Sequence, residues 1–189
     1  MRPSLVIAYH KPKGLLTTHR DELGRETVYD RLRTLLPPSL RALDWHAVGR
    51  LDADTTGLLL FTTDGAFVHH ATQPHTKLVK TYRVLARGLL SDDQIQRLRD
   101  GVELTGGLGV SAPAEVTLVG FQVATTWLDV RIGEGKNRQV RRMLLAVGSQ
   151  VIRLQRTHVG GLALDLEEDT WRRVTHAELI TKLGYARDH

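Results

Sequence analysis

Gly49-Arg50-Leu51-Asp52-Ala53-Asp54-Thr55-Thr56-Gly57 runs directly into Leu58-Leu59-Leu60-Phe61-Thr62. The second half is a short, continuous apolar run, as expected of a strand over 57–62 that is buried on both faces. The first half places an arginine and two acids between glycines, immediately ahead of that strand. A loop of this kind can hold reactive groups on a rigid scaffold. Asp52 and Asp54 are both available as chemical groups, and the local pattern does not separate them. A bland reading also exists, in which Asp52 pairs with Arg50 and only orders the loop.

Upstream of this stretch, residues 5–9 (LVIAY) read as a strand ended by the turn formers Lys11-Pro12-Lys13-Gly14. Residues 27–36 put Val28, Leu32, Leu35 and Leu36 on one helical face, and Pro37-Pro38 stops that helix. Downstream, Asp64-Gly65 turns the chain into a helix carrying Phe67, Val68 and Ala71. Residues 79–86 alternate as a strand. Ser91 and Gln94 form a capping box for a helix through Leu98, stopped near Gly101. A glycine-rich loop, 105–111, leads to strands at 114–119 and 125–132.

Asn137 is placed to cap a helix whose Val140, Met143, Leu144 and Val147 fall at i, i+3, i+4 and i+7, with Arg138 and Arg142 away from that stripe. A strand at 150–155 and a helix opened by the Thr175/Glu178 capping box complete the pattern. Strands and helices interleave without a regular βαβ rhythm, which predicts an α+β fold on a mixed sheet. The chain, 1–189, reads as one domain, with a seam near 101–112 if it has two lobes.

Composition narrows the chemistry. There is no cysteine, hence no disulfide, thiolate metal site or cysteine nucleophile. No apolar run has membrane-span length, and the N-terminus lacks a secretory h-region, so a cytoplasmic protein is expected. The net charge of +5 is local in origin. Segment 131–156 holds Arg131, Lys136, Arg138, Arg141, Arg142, Arg153 and Arg156 against the single acid Glu134. Such a cluster is either a solvated face or the footprint of a polyanion.

Two further segments could carry function. Lys80-Thr81-Tyr82-Arg83-Val84 puts a tyrosine between cations at a strand end, although a strand tyrosine is more often a core residue. In 134–143 (EGKNRQVRRM) a strand ends, a glycine turns the chain and a helix begins, which makes an anion-friendly corner. His69, His70 and His75 do not read as a metal site, because neighbouring helical histidines diverge. The glycines of 101–109 lack the Gly-Lys-Ser/Thr of a phosphate loop.

Taken in order, these segments resemble the RsuA/RluB/E/F family of ribosomal RNA pseudouridine synthases. The resemblance rests on Lys11-Pro12-Lys13-Gly14, on Gly49-Arg50-Leu51-Asp52 with Thr55, Gly57, Leu58-Leu59-Leu60 and Thr62-Thr63-Asp64-Gly65, on Lys80-Thr81-Tyr82, and on 134–143. Gly148, Val151, Leu154, Arg156 and Gly160 continue it. His10 and Thr63 depart from it, since both stand where the family more often has asparagine. Only ten residues precede Lys11, so no N-terminal S4-type RNA-binding domain is expected. The short form is most similar to the RluE branch of the family, which acts on large-subunit RNA.

The resemblance implies a mainly antiparallel catalytic domain that isomerises uridine in ribosomal RNA, 23S rather than 16S, as a monomer without metal or cofactor. It implies Asp52, not Asp54, as the catalytic carboxylate, Lys136 as its basic partner, and Tyr82 against the target base. It also implies RNA or substrate contacts from Arg50, Thr55, Lys80, Asn137, Arg138, Arg141 and Arg142. Two rival readings are an RNA-binding module that keeps the fold without the chemistry, and a hydrolase that pairs Asp52 with Asp54.

Overall fold

The structure is a computed structural model that describes residues 4–73, 76 and 78–186. Along the chain its elements are β1 (Val6–Lys11), α1 (Val28–Leu35), α2 (Pro38–Arg41), β2 (His46–Val48), β3 (Thr56–Thr62), α3 (Gly65–Thr72), β4 (Lys80–Arg87) and α4 (Asp92–Asp100). There follow β5 (Glu115–Gln122), β6 (Thr125–Ile132), α5 (Gln139–Ala146), β7 (Val151–Val159), β8 (Leu162–Ala163), β9 (Trp171–Arg173) and α6 (His176–Leu183). The sheet is mixed and mostly antiparallel: β1–β3, β1–β9, β2–β3, β4–β6, β5–β6 and β7–β8 pair antiparallel, and Leu16 and Thr27 form an isolated parallel bridge. The fold is α+β, as the interleaved pattern predicts.

The chain divides into two compact units, one formed by residues 1–78 with 158–189 and the other by 79–157. In the first unit β3 is flanked by β1 and β2, and β1 carries β9 on its other edge. Side chains alternate across a strand, so Val6, Ala8, Leu58 and Leu60 enter one core with Phe67, Val159 and Leu183. Ile7, Tyr9, Leu59 and Phe61 are buried on the other face, where the Tyr29 ring meets that of Phe61 at 5.6 Å. Both faces are covered, which is why 57–62 is apolar without alternation.

In the second unit β6 lies between β4 and β5, with β7 on the far side of β4. Val84, Ala86, Leu128, Val130 and Leu154 pack with Ile95 and Leu98 of α4 and with Val140, Met143 and Leu144 of α5. The capping boxes at Ser91/Gln94 and Thr175/Glu178 form as expected, and Thr27/Asp30 adds a third at α1.

Several expectations are corrected. The seam does not fall near 101–112. That loop lies inside the second unit, where Glu103 bridges Val110 and the Ser111 hydroxyl accepts from the Val102 amide at 2.9 Å. Lys11 ends a strand rather than opening a turn. Pro38 starts the short helix α2, since a proline at a first helical position loses no hydrogen bond. β7 runs through Val159, four residues past its expected end. Asn137 does not cap α5. The N-cap is Arg138, in a left-handed conformation (φ 49°, ψ 37°) without a side-chain capping bond. The two- and three-residue strands β2, β8 and β9 carry too little alternation to stand out in sequence.

Candidate active site

The first unit holds Asp52 on a turn that its neighbours fix at several points. The Thr55 amide donates to the Asp52 carbonyl at 3.0 Å and the Gly14 amide to the Ala53 carbonyl at 2.7 Å. The Thr17 hydroxyl donates to the Leu51 carbonyl at 2.7 Å. Below the turn lies Lys11, with no solvent exposure. Its Nζ donates to the carbonyls of Pro12 at 3.0 Å, Thr55 at 2.9 Å and Ala53 at 3.4 Å. Burial pushes the Lys11 ammonium down to about 8, against the opposing pull of Asp54 and Asp52. The ammonium is strapped to three carbonyls in the lysine's own loop and the aspartate's loop, so it acts as an internal tie.

Asp52 is half-buried and lines a cleft of about 630 Å³ together with Arg50, Leu51, Thr17 and Arg20. Asp54 is exposed and is not among the residues lining that cleft. Geometry thus distinguishes the two acids that the local sequence leaves equivalent. The outer wall is residues 17–25, shaped by Asp21. Its carboxylate accepts from Arg25 Nη2 at 2.7 Å and from the Arg25 amide at 2.8 Å, and this pairing lowers the Asp21 carboxyl to about 2. Arg50 is exposed at the cleft, where it can meet a phosphate. Thr55 is 2% exposed. Its main chain closes the turn, so a direct RNA contact does not suit it.

The second unit holds the other expected residues. Tyr82 is half-buried on β4 and packs against the core of its unit, with Lys80 two residues away on the same face. Arg83 does not add to a cationic strand end. It lies opposite Asp129 on β6, with Nε–Oδ1 at 2.5 Å and Nη2–Oδ2 at 3.0 Å.

Segment 134–142 is stapled to the glycine-rich loop. Lys136 Nζ donates to the Val110 carbonyl at 2.7 Å and lies 3.6 Å from Glu134. The Glu134 carboxylate accepts from the Ala112 amide at 2.7 Å and from Gln139 Nε2 at 2.5 Å. Arg142 donates to the Thr105 carbonyl at 2.6 Å, the Asn137 carbonyl at 3.0 Å and the Asn137 side chain at 3.1 Å. Gly106 leaves the room this guanidinium occupies, since a Cβ there would lie 2.9 Å from Arg142 Nη1. Arg142 and Asn137 therefore brace the corner. Arg138 stands exposed at its tip and Arg141 is half-buried.

His69 and His70 serve local contacts, with Gln73 and with the Leu183 carbonyl, and His75 lies outside the described residues. Among the described residues no group of histidines and acids is arranged to hold a metal, and no helix is long and apolar enough to cross a membrane.

Residues 5–146 match the family model described as RNA pseudouridylate synthase. The ribosomal large subunit pseudouridine synthase B of Yersinia pestis is 43% identical over 159 residues, which are 84% of this chain and 48% of that protein. The protein of the same name from Pasteurella multocida strain Pm70 is 38% identical over 188 residues, 97% of this chain and 50% of its own. The chain spans about half the length of the curated relatives it matches. A crystal structure of a pseudouridylate synthase superposes with a TM-score of 0.84 at 31% identity, covering 97% of this chain and 75% of that one. A human RNA pseudouridylate synthase domain-containing protein shares the fold at a TM-score of 0.58 and 14% identity. With a turn-borne aspartate in a cleft and a matching family model over most of its length, this chain belongs to the RNA pseudouridylate synthase family.

Lys11 is the residue that sequence reasoning undervalues. Its signal is a lysine closing an apolar strand, and the proline and glycine that follow mask it as part of a turn.

Proposed function

We propose that this protein isomerises a specific uridine to pseudouridine in large-subunit ribosomal RNA, with Asp52 as the catalytic carboxylate. The observation that carries the reading is Asp52 held at a cleft by a tied-down turn, in a chain of this family. The preference for 23S over 16S RNA follows the large-subunit names of the relatives.

The reaction breaks the bond from ribose carbon-1 to uracil nitrogen-1, rotates the base, and rejoins it through carbon-5. The carbon-5 proton is released and the base nitrogen regains one, so atoms and electrons balance without a redox partner. An ionised carboxylate can attack carbon-1, add to carbon-6 of the base, or assist departure through a glycal. Each route needs the uridine out of its stack, so the target base is flipped into the cleft.

Tyr82 packs against the displaced base and helps move the carbon-5 proton. Arg50 holds the displaced nucleotide by a phosphate. Lys136 is assigned as the basic partner of the carboxylate by the family pattern of 134–143. Arg138 and Arg141 add positive charge along the RNA backbone. The protein works as a monomer in the cytoplasm.

Tritium release from RNA carrying carbon-5-labelled uridine tests the reading, with pseudouridine mapping in a strain lacking the protein to locate the site. Release and loss of one modified position are expected. Bound but unchanged RNA would make the chain a binding module, and a cleaved product would make it a hydrolase.

A further inference from the structure

Helices α4 and α5 cover one face of the sheet in the second unit, where Val84 and Ala86 of β4, Leu128 and Val130 of β6 and Leu154 of β7 meet them. Side chains alternate across a strand, so the residues between these stand on the outer face. On β4 they are Arg83, Leu85 and Arg87, and on β6 Trp127, Asp129 and Arg131. β7 neighbours β4, with the Thr157 hydroxyl donating to the Thr81 carbonyl at 3.3 Å and the Arg87 amide to the Gln150 carbonyl at 2.9 Å. The two strands therefore run antiparallel. Arg153, beside the inward Leu154 and four residues before Thr157, faces out level with Leu85, four residues after Thr81.

Gly120, Trp127, Leu85 and Arg153 thus form a row across the outer face, the first three by direct register. A Cβ at Gly120 would meet nothing within 4 Å, so open space lies beside the indole. Trp127 Nε1 donates to Gln122 Oε1 at 3.3 Å, which orients the ring. Trp127 and Leu85 are only half-buried, and Arg87 and Arg153 are exposed. Both acids of this face are paired, Asp129 with Arg83 and Glu115 with Arg131 at 2.6 Å. Four arginines against two acids leave 4 − 2 = +2, carried by Arg87 and Arg153 on the two strands next to the indole.

A protein partner would have to match this surplus of guanidinium with acids around an apolar strip. A nucleotide strand brings both complements at once, a flat base for the ring and phosphates for the arginines. We propose that this outer face is a second RNA-contact surface, where one base of a single-stranded segment stacks on Trp127 and its flanking phosphates meet Arg87 and Arg153. The occupant is single-stranded because a base inside a duplex is already stacked on both sides. Lys80 and Tyr82 stand on the opposite face of β4, so the surface is distinct from them and goes beyond the isomerisation. It adds affinity and holds the RNA without reading its sequence.

A short oligocytidylate is the probe, since it offers stacking bases and phosphates but no uridine for the reaction. Binding should quench tryptophan fluorescence in the wild type. Trp127→Phe keeps a stacking ring, so its affinity should stay within about threefold while the quench disappears. Trp127→Leu should weaken the oligomer at least about fivefold, the low end for one base–aromatic stack, and leave a short RNA duplex unaffected. Arg87→Gln with Arg153→Gln should flatten the slope of log affinity against log salt by about 1.4, at about 0.7 per contact on a single strand. Circular dichroism identifies variants that fold.

Unchanged affinity and quench in folded Trp127→Leu overturns the surface, and so does an equal loss for oligomer and duplex. An unchanged salt slope in the arginine pair overturns the phosphate contacts. Pseudouridine formation is measured separately. A protein that stacks the oligomer yet makes no pseudouridine sinks the isomerase reading alone, and one that isomerises without a Trp127-dependent quench sinks this surface alone.

Discussion

Lys11 Nζ donates to the Thr55 carbonyl at 2.9 Å from a position with no solvent exposure. One cation so ties the end of the first strand to the turn that carries Asp52. A polar tie in that place fixes a loop more sharply than apolar contact, because a hydrogen bond holds each carbonyl in direction as well as in distance.

Replacing this lysine separates two effects. Lys11→Met relieves the desolvation of a charge and removes the ammonium donor from the carbonyls of Pro12, Thr55 and Ala53, the last of which keeps the Gly14 amide. The lost donors dominate, and a net destabilisation of about 1–3 kcal/mol is expected. The Asp52 turn should loosen with it, so turnover should fall at substrate concentrations that saturate binding. Urea melts and single-turnover rates measure the two. A variant as stable and as fast as wild type would remove Lys11 from the account.

The same group sets a pH dependence. Its folded value of about 8 lies below its ordinary 10.5. Between those limits the unfolded chain holds the extra proton, so the Lys11 contribution to stability rises with pH across that window. Other groups titrate there as well, notably Tyr9, whose hydroxyl is pushed up by burial and by Asp169. The quantity to follow is therefore the difference between wild type and Lys11→Met, which should grow from pH 8 to about 10.5. A flat difference would mean that the lysine is not desolvated.

At the acid end, Glu178 is the group to watch. Its carboxyl is lowered to about 2, first by Arg172 and then by the Thr175 amide. A carboxylate depressed on folding stabilises above its unfolded value, and that support is lost as pH falls through the folded value. Glu178→Gln should be less stable than wild type at pH 6, and the gap should close between about pH 4.5 and 2 in acid titrations followed by circular dichroism. A gap that persists at pH 2 would assign the effect to packing.

Asp52→Asn is expected to abolish tritium release, by at least a thousandfold, while RNA affinity changes by less than about threefold. The substitution keeps the shape and removes the negative charge of the proposed catalytic carboxylate. Filter binding and rate measurements on one preparation test it, and a well-folded variant with substantial turnover would return the chemistry to another acid.

The two outward arginines of the basic helix are expected to behave differently. Arg138→Gln should flatten the slope of log affinity against log salt by about 0.7–0.9, the loss of one phosphate contact. Arg142→Gln should leave that slope unchanged and lower stability by about 1–2 kcal/mol, because its donors serve Thr105 and Asn137. Equal slopes for the two variants would contradict the division of labour.

Much of the fold can be read from the chain because its larger elements bury one regular stripe and begin at side-chain caps. Ser91/Gln94 and Thr175/Glu178 are examples, and the strand over 125–132 matches to the residue. The site is less legible. Arg83 and Arg142 read as free cations until their cross-strand and cross-loop partners, Asp129 and Thr105, are placed beside them. Those partners are 46 and 37 residues away, where periodicity has no reach. Asn137 fails as a cap for the same reason, since its side-chain oxygen is taken by Arg142. The lobe boundary escapes a reading by composition because the unit changes within an uninterrupted strand, β7, and not at a glycine-rich loop.

The first unit is discontinuous, and this sets an order of events during synthesis. β1 is made early, yet its outer edge waits for β9, and the Tyr9 hydroxyl meets Asp169 at 2.8 Å only across 160 residues. At about 5–20 residues per second, that edge stays open for roughly ten to thirty seconds while the whole second unit emerges. An unpaired strand edge invites pairing with the wrong chain. A nascent chain stalled at Thr157 should therefore expose the 6–11 segment to proteolysis, while the same segment in the finished protein resists it.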